Sequence, residues 1–133
     1  MECLVLDNVV LTRTKKRIGW TDDFAELVLR EYRRFLDICR SNPNDRISPS
    51  PVVDELWHDH ILHTADYKDF CDKHIGRFIH HAPVGLDKRC DDIMTYVQFS
   101  FVYEHRFGET PSEFVWPLNY TDNPCSATDK CRN

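Results

Sequence analysis

The stretch that organises this chain runs from residue 52 to residue 83 and reads VVDELWHDHILHTADYKDFCDKHIGRFIHHAP. It holds six of the seven histidines of the sequence and a single cysteine, Cys71. Histidine is the side chain best suited to bind metals and to transfer protons near neutral pH. Such a concentration of one residue type indicates that the functional chemistry of the chain lies in this segment.

The same stretch carries signals for helix ends. Ser50 followed by a proline is typical of a helix start, because serine caps the first turn and proline fits the first helical position. Gly76 is typical of a helix end. The pattern therefore predicts two short helices, at about residues 51–64 and 65–75, followed by a loop.

The residue types in this segment favour a zinc site, because zinc is held tetrahedrally by cysteine and histidine. Helical periodicity places His58 and His60 on nearly opposite faces, so one ion cannot easily take both. If the two short helices fold back on each other, the second helix and the loop can supply the remaining ligands. Asp54, one turn before His58, is predicted to accept the ring N–H of that histidine. The predicted ligands are His58, Cys71, His80 and His81.

Two alternatives to a zinc site stay open. The first is an unmetallated, hydrogen-bonded core in which Cys71 is a plain buried thiol; His60 and His63 are predicted to be surface or packing residues with or without the metal. The second is a metal- or thiol-dependent hydrolase that uses His58 and Cys71, with Asp54 as the orienting carboxylate. No recognised nucleophile signature, H-E-x-x-H motif or phosphate-binding loop accompanies these residues.

The histidine pattern also carries a family resemblance. The residues VDxxWHxH at 53–60, then Cys71, and then the pair His80-His81 before Pro83 resemble the conserved module of the glycine-rich domain-containing protein family. That module occurs in plant and bacterial proteins and in some large DNA viruses. The similarity extends over about residues 18–117 and implies an all-α fold. The glycine-rich region that names the family is absent, since the chain has only four glycines.

Residues 2–17 fit either a helix or a strand by periodicity, and the resemblance to the glycine-rich domain-containing family favours a helix. Two further helices are predicted outside the histidine segment, at about residues 21–40 and 89–106. The last is apolar over most of its circumference, so we expect it at the centre of the bundle, ending at Gly108. Glu31 lies at the margin of the apolar stripe of its helix and is predicted to form a plain surface ion pair.

The C-terminal part of the sequence has no sustained periodicity. Apolar and aromatic residues at 114–118 are predicted to pack back onto the bundle. Cys125 and Cys131 could form a disulfide, bind a metal or do neither. We expect a single helical domain at residues 1–120 and a polar, flexible tail at residues 121–133.

Length and composition limit the class of protein. A chain of 133 residues suits one domain, and a net charge of −5 argues against nucleic-acid binding through bulk electrostatics. No apolar run reaches the ~20 residues of a membrane span, and no signal peptide is recognisable. We therefore expect an intracellular protein, cytoplasmic or nuclear, or a virion component if a virus encodes it. Its six cysteines are expected to be thiols or ligands.

Together these features predict a compact all-α bundle of four to five helices with an irregular C-terminal tail. The predicted function is that of a non-catalytic structural or protein-interaction module with a zinc site, and its expected partner is another protein. No complete catalytic set supports an enzyme.

Overall fold

The computed structural model describes residues 8–79 and 94–117, and these residues form an all-α fold as predicted. Neither of the two described ranges contains a β-strand. A π-helical turn, Cys71–Ile75, continues the fourth helix. The α-helices are α1 (Asn8–Ile18), α2 (Asp22–Ser41), α3 (Pro51–Leu62), α4 (Thr64–Phe70) and α5 (Tyr96–Phe107).

The helix ends follow the capping signals of the sequence. The side chains of Thr21 and Ser50 accept hydrogen bonds from the third backbone N–H of α2 and α3, each at 3.2 Å. Gly76 ends the π-helical turn with φ +89°, and Gly108 ends α5 with φ +74°. This left-handed conformation costs glycine little because it has no Cβ.

The centre of the bundle is α2. Half of its 20 residues are buried, and it packs against α1, α3 and the π-helical turn. The ring of Phe35 on α2 contacts two tryptophan rings. Its centroid lies 5.1 Å from that of Trp57 and 6.3 Å from that of Trp116. The helix therefore joins the histidine segment to the C-terminal segment of the described chain.

The prediction that a helix at residues 89–106 forms the centre was wrong. Residues 94 and 95 are not helical, and α5 begins at Tyr96 because Thr95 and Gln98 form a capping box. Only Phe99 and Tyr103 of α5 are buried, whereas Val97 and Phe101 are exposed. The helix thus lies at the periphery and presents an apolar face to solvent. Residues 89–93 lie outside the described part of the chain.

The segment after α5 folds back only in part as predicted. Val115 and Trp116 are fully buried, but Phe114 is 79% exposed. Residues 118–133, with Cys125 and Cys131, lie outside the described residues, as do residues 1–7. Among the described helices, none combines the length and apolarity needed to cross a bilayer.

Candidate functional site

His60, rather than His58, is the histidine that enters the core. Its ring is 1% exposed and makes edge contacts with the rings of Tyr67 and Phe70. His60 Nδ1 is hydrogen-bonded to the hydroxyl of Tyr32 on α2, at 2.7 Å. Burial lowers the pKa of His60 from 6.5 to about 4, and the nearby His63 adds to this shift. The sequence predicted His60 to be a surface or packing residue, and its position in the core is that of a packing residue.

Two consecutive buried hydrogen bonds through Tyr67 connect α3, α4 and the chain that follows the π-helical turn. Trp57 Nε1 donates to the Tyr67 hydroxyl at 3.0 Å, and that hydroxyl donates to the carbonyl oxygen of Ile79 at 2.6 Å. Burial raises the pKa of Tyr67, so the hydroxyl stays a donor. These two hydrogen bonds fix the backbone at Ile79, the residue that precedes the pair of histidines at positions 80 and 81.

Cys71 lies one turn after Tyr67, with its thiol beside the Tyr67 hydroxyl, and is fully buried. It begins the π-helical turn, and its carbonyl accepts the N–H of Gly76 at 2.8 Å. Single π-helical turns inside α-helices are frequent at functional sites. We refer to the buried side chains that Tyr32 and Tyr67 connect through these contacts as the Tyr32 cluster. Its members are Tyr32, Trp57, His60, Tyr67 and Cys71.

The predicted zinc ligands are only partly within the described residues. Asp54 is buried and His58 is half-buried one turn later, on the face of α3 that the spacing predicts. His80 and His81 lie outside the described residues. Within residues 8–79 and 94–117, no group of three or more His, Cys, Asp or Glu side chains could hold a metal. The zinc site therefore stays a prediction.

A comparison with protein families places this chain. Its sequence matches the family described as UCP032817-like over residues 6–103, which is most of its length. The chain belongs to the UCP032817-like family. No match was found among curated proteins or among solved structures. The resemblance to glycine-rich domain-containing proteins stays a prediction.

The UCP032817-like region contains the whole Tyr32 cluster and all four predicted zinc ligands. It ends at Tyr103, which belongs to a second buried site that sequence reasoning missed. Glu31 was predicted to form a surface ion pair, but it is fully buried. Its carboxylate accepts hydrogen bonds from the Tyr103 hydroxyl at 2.5 Å and from Trp116 Nε1 at 2.8 Å.

Arginines from α2 compensate the buried charge of Glu31. Arg30 Nε donates to the carboxylate at 2.9 Å, and Arg34 Nη1 lies 3.6 Å from it while donating to the Tyr103 hydroxyl at 2.6 Å. The Arg34 guanidinium also lies over the ring of Phe107 at 4.9 Å. We call this set the Glu31 cluster: Glu31, Arg30, Arg34, Tyr103 and Trp116. The signal for it was a glutamate within the apolar stripe of α2.

Two other buried carboxylates connect helices of the bundle. Asp59 on α3 accepts from Thr14 at 2.6 Å and from Arg17 at 3.0 Å, both on α1. Asp37 on α2 accepts from Arg106 on α5 and from an arginine of its own helix. These contacts are structural, since each links two helices through a charge-assisted hydrogen bond.

Proposed function

We propose that this domain is a non-catalytic structural or protein-interaction module in which one zinc ion fastens the chain after Ile79 to α3 and α4. The ligands of the proposal are His58, Cys71, His80 and His81. The observation that carries it is the hydrogen bond from Tyr67 to the carbonyl oxygen of Ile79. This bond holds Ile79 beside Tyr67, one turn before Cys71, and we propose that the two histidines that follow Ile79 in the sequence reach the Cys71 thiol.

The chemistry of the donors fits zinc. Cysteine with histidines is a common zinc ligand set, and structural sites are closed to solvent. Cys71 is fully buried, which suits a closed site. Asp54, buried one turn before His58, is proposed to accept the ring N–H of that ligand and to hold its orientation.

A metal would also add to the stability of this segment. Helix α4 has only seven residues, and isolated helices shorter than about 12 residues are marginal because nucleation is costly. A zinc ion that joins α3, α4 and the following chain would convert its binding free energy into folding free energy.

The burial of Cys71 also favours the module over the hydrolase. A nucleophilic thiolate must reach its substrate and is usually found in a partly exposed, electropositive site. Cys71 is fully buried in an aromatic environment, at the start of a π-helical turn. The module's intracellular location and its relation to glycine-rich domain-containing proteins, viral members included, remain part of the proposal.

Elemental analysis of protein purified without added metal tests the zinc site. We expect about one zinc ion per chain, because four ligands saturate one tetrahedral ion. His58→Ala, Cys71→Ser, His80→Ala and His81→Ala should each lower the zinc content and the melting temperature. Two matched controls, Cys39→Ser and His63→Ala, should retain the metal. A metal-free protein whose unfolding is unchanged by a chelator would show that the segment is a hydrogen-bonded core without metal.

A further inference from the structure

A groove with a volume of about 800 Å³ lies between α5 and the segment at residues 110–114. It is remote in sequence from the histidine segment and shares no residue with the Tyr32 cluster. Apolar, acidic and small polar side chains form its walls. The described lining residues are Tyr96, Val97, Ser100, Phe101, Glu104, Thr110, Pro111, Ser112, Glu113 and Phe114.

The groove concentrates exposed apolar surface. Val97, Phe101 and Phe114 are 74%, 72% and 79% exposed, which makes them the most exposed large apolar side chains among the described residues. Scattered single apolar residues are normal on a protein surface, but a contiguous apolar patch marks an interaction site. Val97 and Phe101 are four residues apart on α5, so they form one continuous stripe.

The groove carries negative charge. Glu104 and Glu113 line it, and none of the described lining residues is basic. Neither glutamate takes part in an ion pair with a described residue, whereas the nearby Glu109 is paired with Arg34 at 2.5 Å. No described residue therefore competes with a cationic partner for the two carboxylates. The net charge of −5 reinforces this potential.

Both walls of the groove are held in place by the core. Tyr103 on α5 and Trp116, which follows the opposite wall, donate to the same carboxylate oxygen of Glu31. Both rings also pack at a tilt against the ring of Phe99, whose centroid lies 5.9 Å from that of Tyr103 and 4.6 Å from that of Trp116. A groove fixed in this way pays little ordering entropy when a ligand binds.

We propose that this groove docks an amphipathic helical peptide of a partner protein, apolar on one face and lysine- or arginine-rich along its edges. This inference rests on the proposed role as a protein-interaction module and specifies the chemistry of the partner. The apolar stripe would receive the apolar face, in the manner of helix-in-groove recognition. The two glutamates would pair with the basic edge, and they disfavour nucleic acids and anionic lipid surfaces.

The test uses three synthetic peptides of about 18 residues, a length that gives five helical turns. The first is a leucine–lysine amphipathic helix, the second has the same composition in scrambled order, and the third is a leucine–glutamate helix. Binding to the full chain is measured by fluorescence anisotropy. We expect the leucine–lysine helix to bind more tightly than either of the others.

Variants locate the binding to the groove. Phe101→Ser and Phe114→Ser should each weaken binding about tenfold, as truncating an aromatic anchor does in peptide interfaces. Leu62→Ser is the matched control, because Leu62 is an exposed apolar residue at the end of α3, and it should change nothing. Reversing the charge with Glu104→Lys and Glu113→Lys together should shift the preference to the leucine–glutamate helix.

Three outcomes would overturn the docking proposal. One is peptide binding that is equal in Phe101→Ser, Phe114→Ser and Leu62→Ser proteins. Another is that the protein forms a dimer, that Phe101→Ser dissociates this dimer, and that no peptide binds. The groove would then receive a second copy of the chain. The third is binding to anionic vesicles that depends on Phe101. A zinc-loaded protein that binds no peptide would refute docking alone, while peptide binding by a metal-free protein would refute the zinc site alone.

Discussion

Glu31 and Tyr32 are neighbours on α2, yet each is at the centre of a differently constructed buried region. Glu31 faces α5 and the C-terminal segment, where its carboxylate accepts hydrogen bonds from Tyr103 and Trp116. Tyr32 faces α3 and α4, where its hydroxyl is hydrogen-bonded to His60. Successive residues of a helix point about 100° apart, so one turn of α2 serves both regions.

The two regions differ in whether their buried polar groups are charged. In the Glu31 cluster the carboxylate is compensated by Arg30 and Arg34, whose side chains extend toward the surface. Around Tyr32, burial favours neutral groups: it lowers the pKa of His60 to about 4 and raises the pKa of the Cys39 thiol to about 12. A buried charge is tolerated where arginines can reach it, and is otherwise replaced by a neutral hydrogen bond. The proposed zinc ion would bring a cation to the Tyr32 side, where it would compensate the negative charge of a Cys71 thiolate.

The largest effect is expected from Glu31→Ala, which would leave the Tyr103 and Trp116 donors without their acceptor and the arginines without their partner. Breaking a buried ion pair by removing one side costs about 3–5 kcal/mol, and we expect a loss of about 3 kcal/mol in the free energy of unfolding. Urea denaturation measures it. Glu26→Ala, at an exposed position of the same helix, should change stability by less than about 0.5 kcal/mol. Equal effects of the two substitutions would contradict the role of the Glu31 cluster.

The next effect is a loss of stability in acid that depends on His60. Its pKa in the folded state is lowered, so the unfolded state takes up the proton first as the pH falls below about 6.5. Stability that is fully present above that pH should decrease as the pH falls toward 4, by up to about 3 kcal/mol. Urea denaturation at several pH values, in the presence of a chelator, measures the slope. In His60→Gln the slope should become smaller, and an unchanged slope would assign the acid sensitivity to other groups.

A smaller effect is expected from Tyr32→Phe, which removes only the hydroxyl and leaves His60 Nδ1 without this partner. Loss of a neutral buried hydrogen bond should cost about 1–2 kcal/mol. A double-mutant cycle with His60→Leu, whose side chain cannot hydrogen-bond the Tyr32 hydroxyl, measures the coupling between the two side chains. Additive effects of the two substitutions would mean that the 2.7 Å contact contributes no coupling.

Local sequence signals predicted the helices and their ends, because caps act within a few residues. Ser50, Gly76 and Gly108 perform the predicted roles, and Thr21 caps the helix that was predicted to begin near it. The start of α5 was predicted wrongly because the apolar pattern obscured the capping box that begins at Thr95. Thr95 and Gln98 are visible in the sequence, so this helix start could have been predicted correctly.

The buried charges could not be predicted in the same way. Periodicity places Glu31 on the stripe of α2, but its acceptor role depends on donors 72 and 85 residues away in the sequence. Similarly, an apolar pattern around α5 does not tell which of its faces meets the core, and the structure leaves Val97 and Phe101 in solvent. The choice between His58 and His60 as the buried residue depends on where Tyr32 lies.

The central claim is that two faces of α2 hold two regions of the fold by separate polar clusters, and hydrogen exchange followed by mass spectrometry tests it most directly. In Glu31→Gln, amide exchange should increase at residues 96–117 and remain unchanged at residues 51–75. In His60→Gln, amide exchange should increase at residues 51–75 and remain unchanged at residues 96–117, because each substitution weakens contacts on only one face of α2. If both variants increase exchange equally in both regions, the two clusters act as one cooperative unit and the claim is wrong.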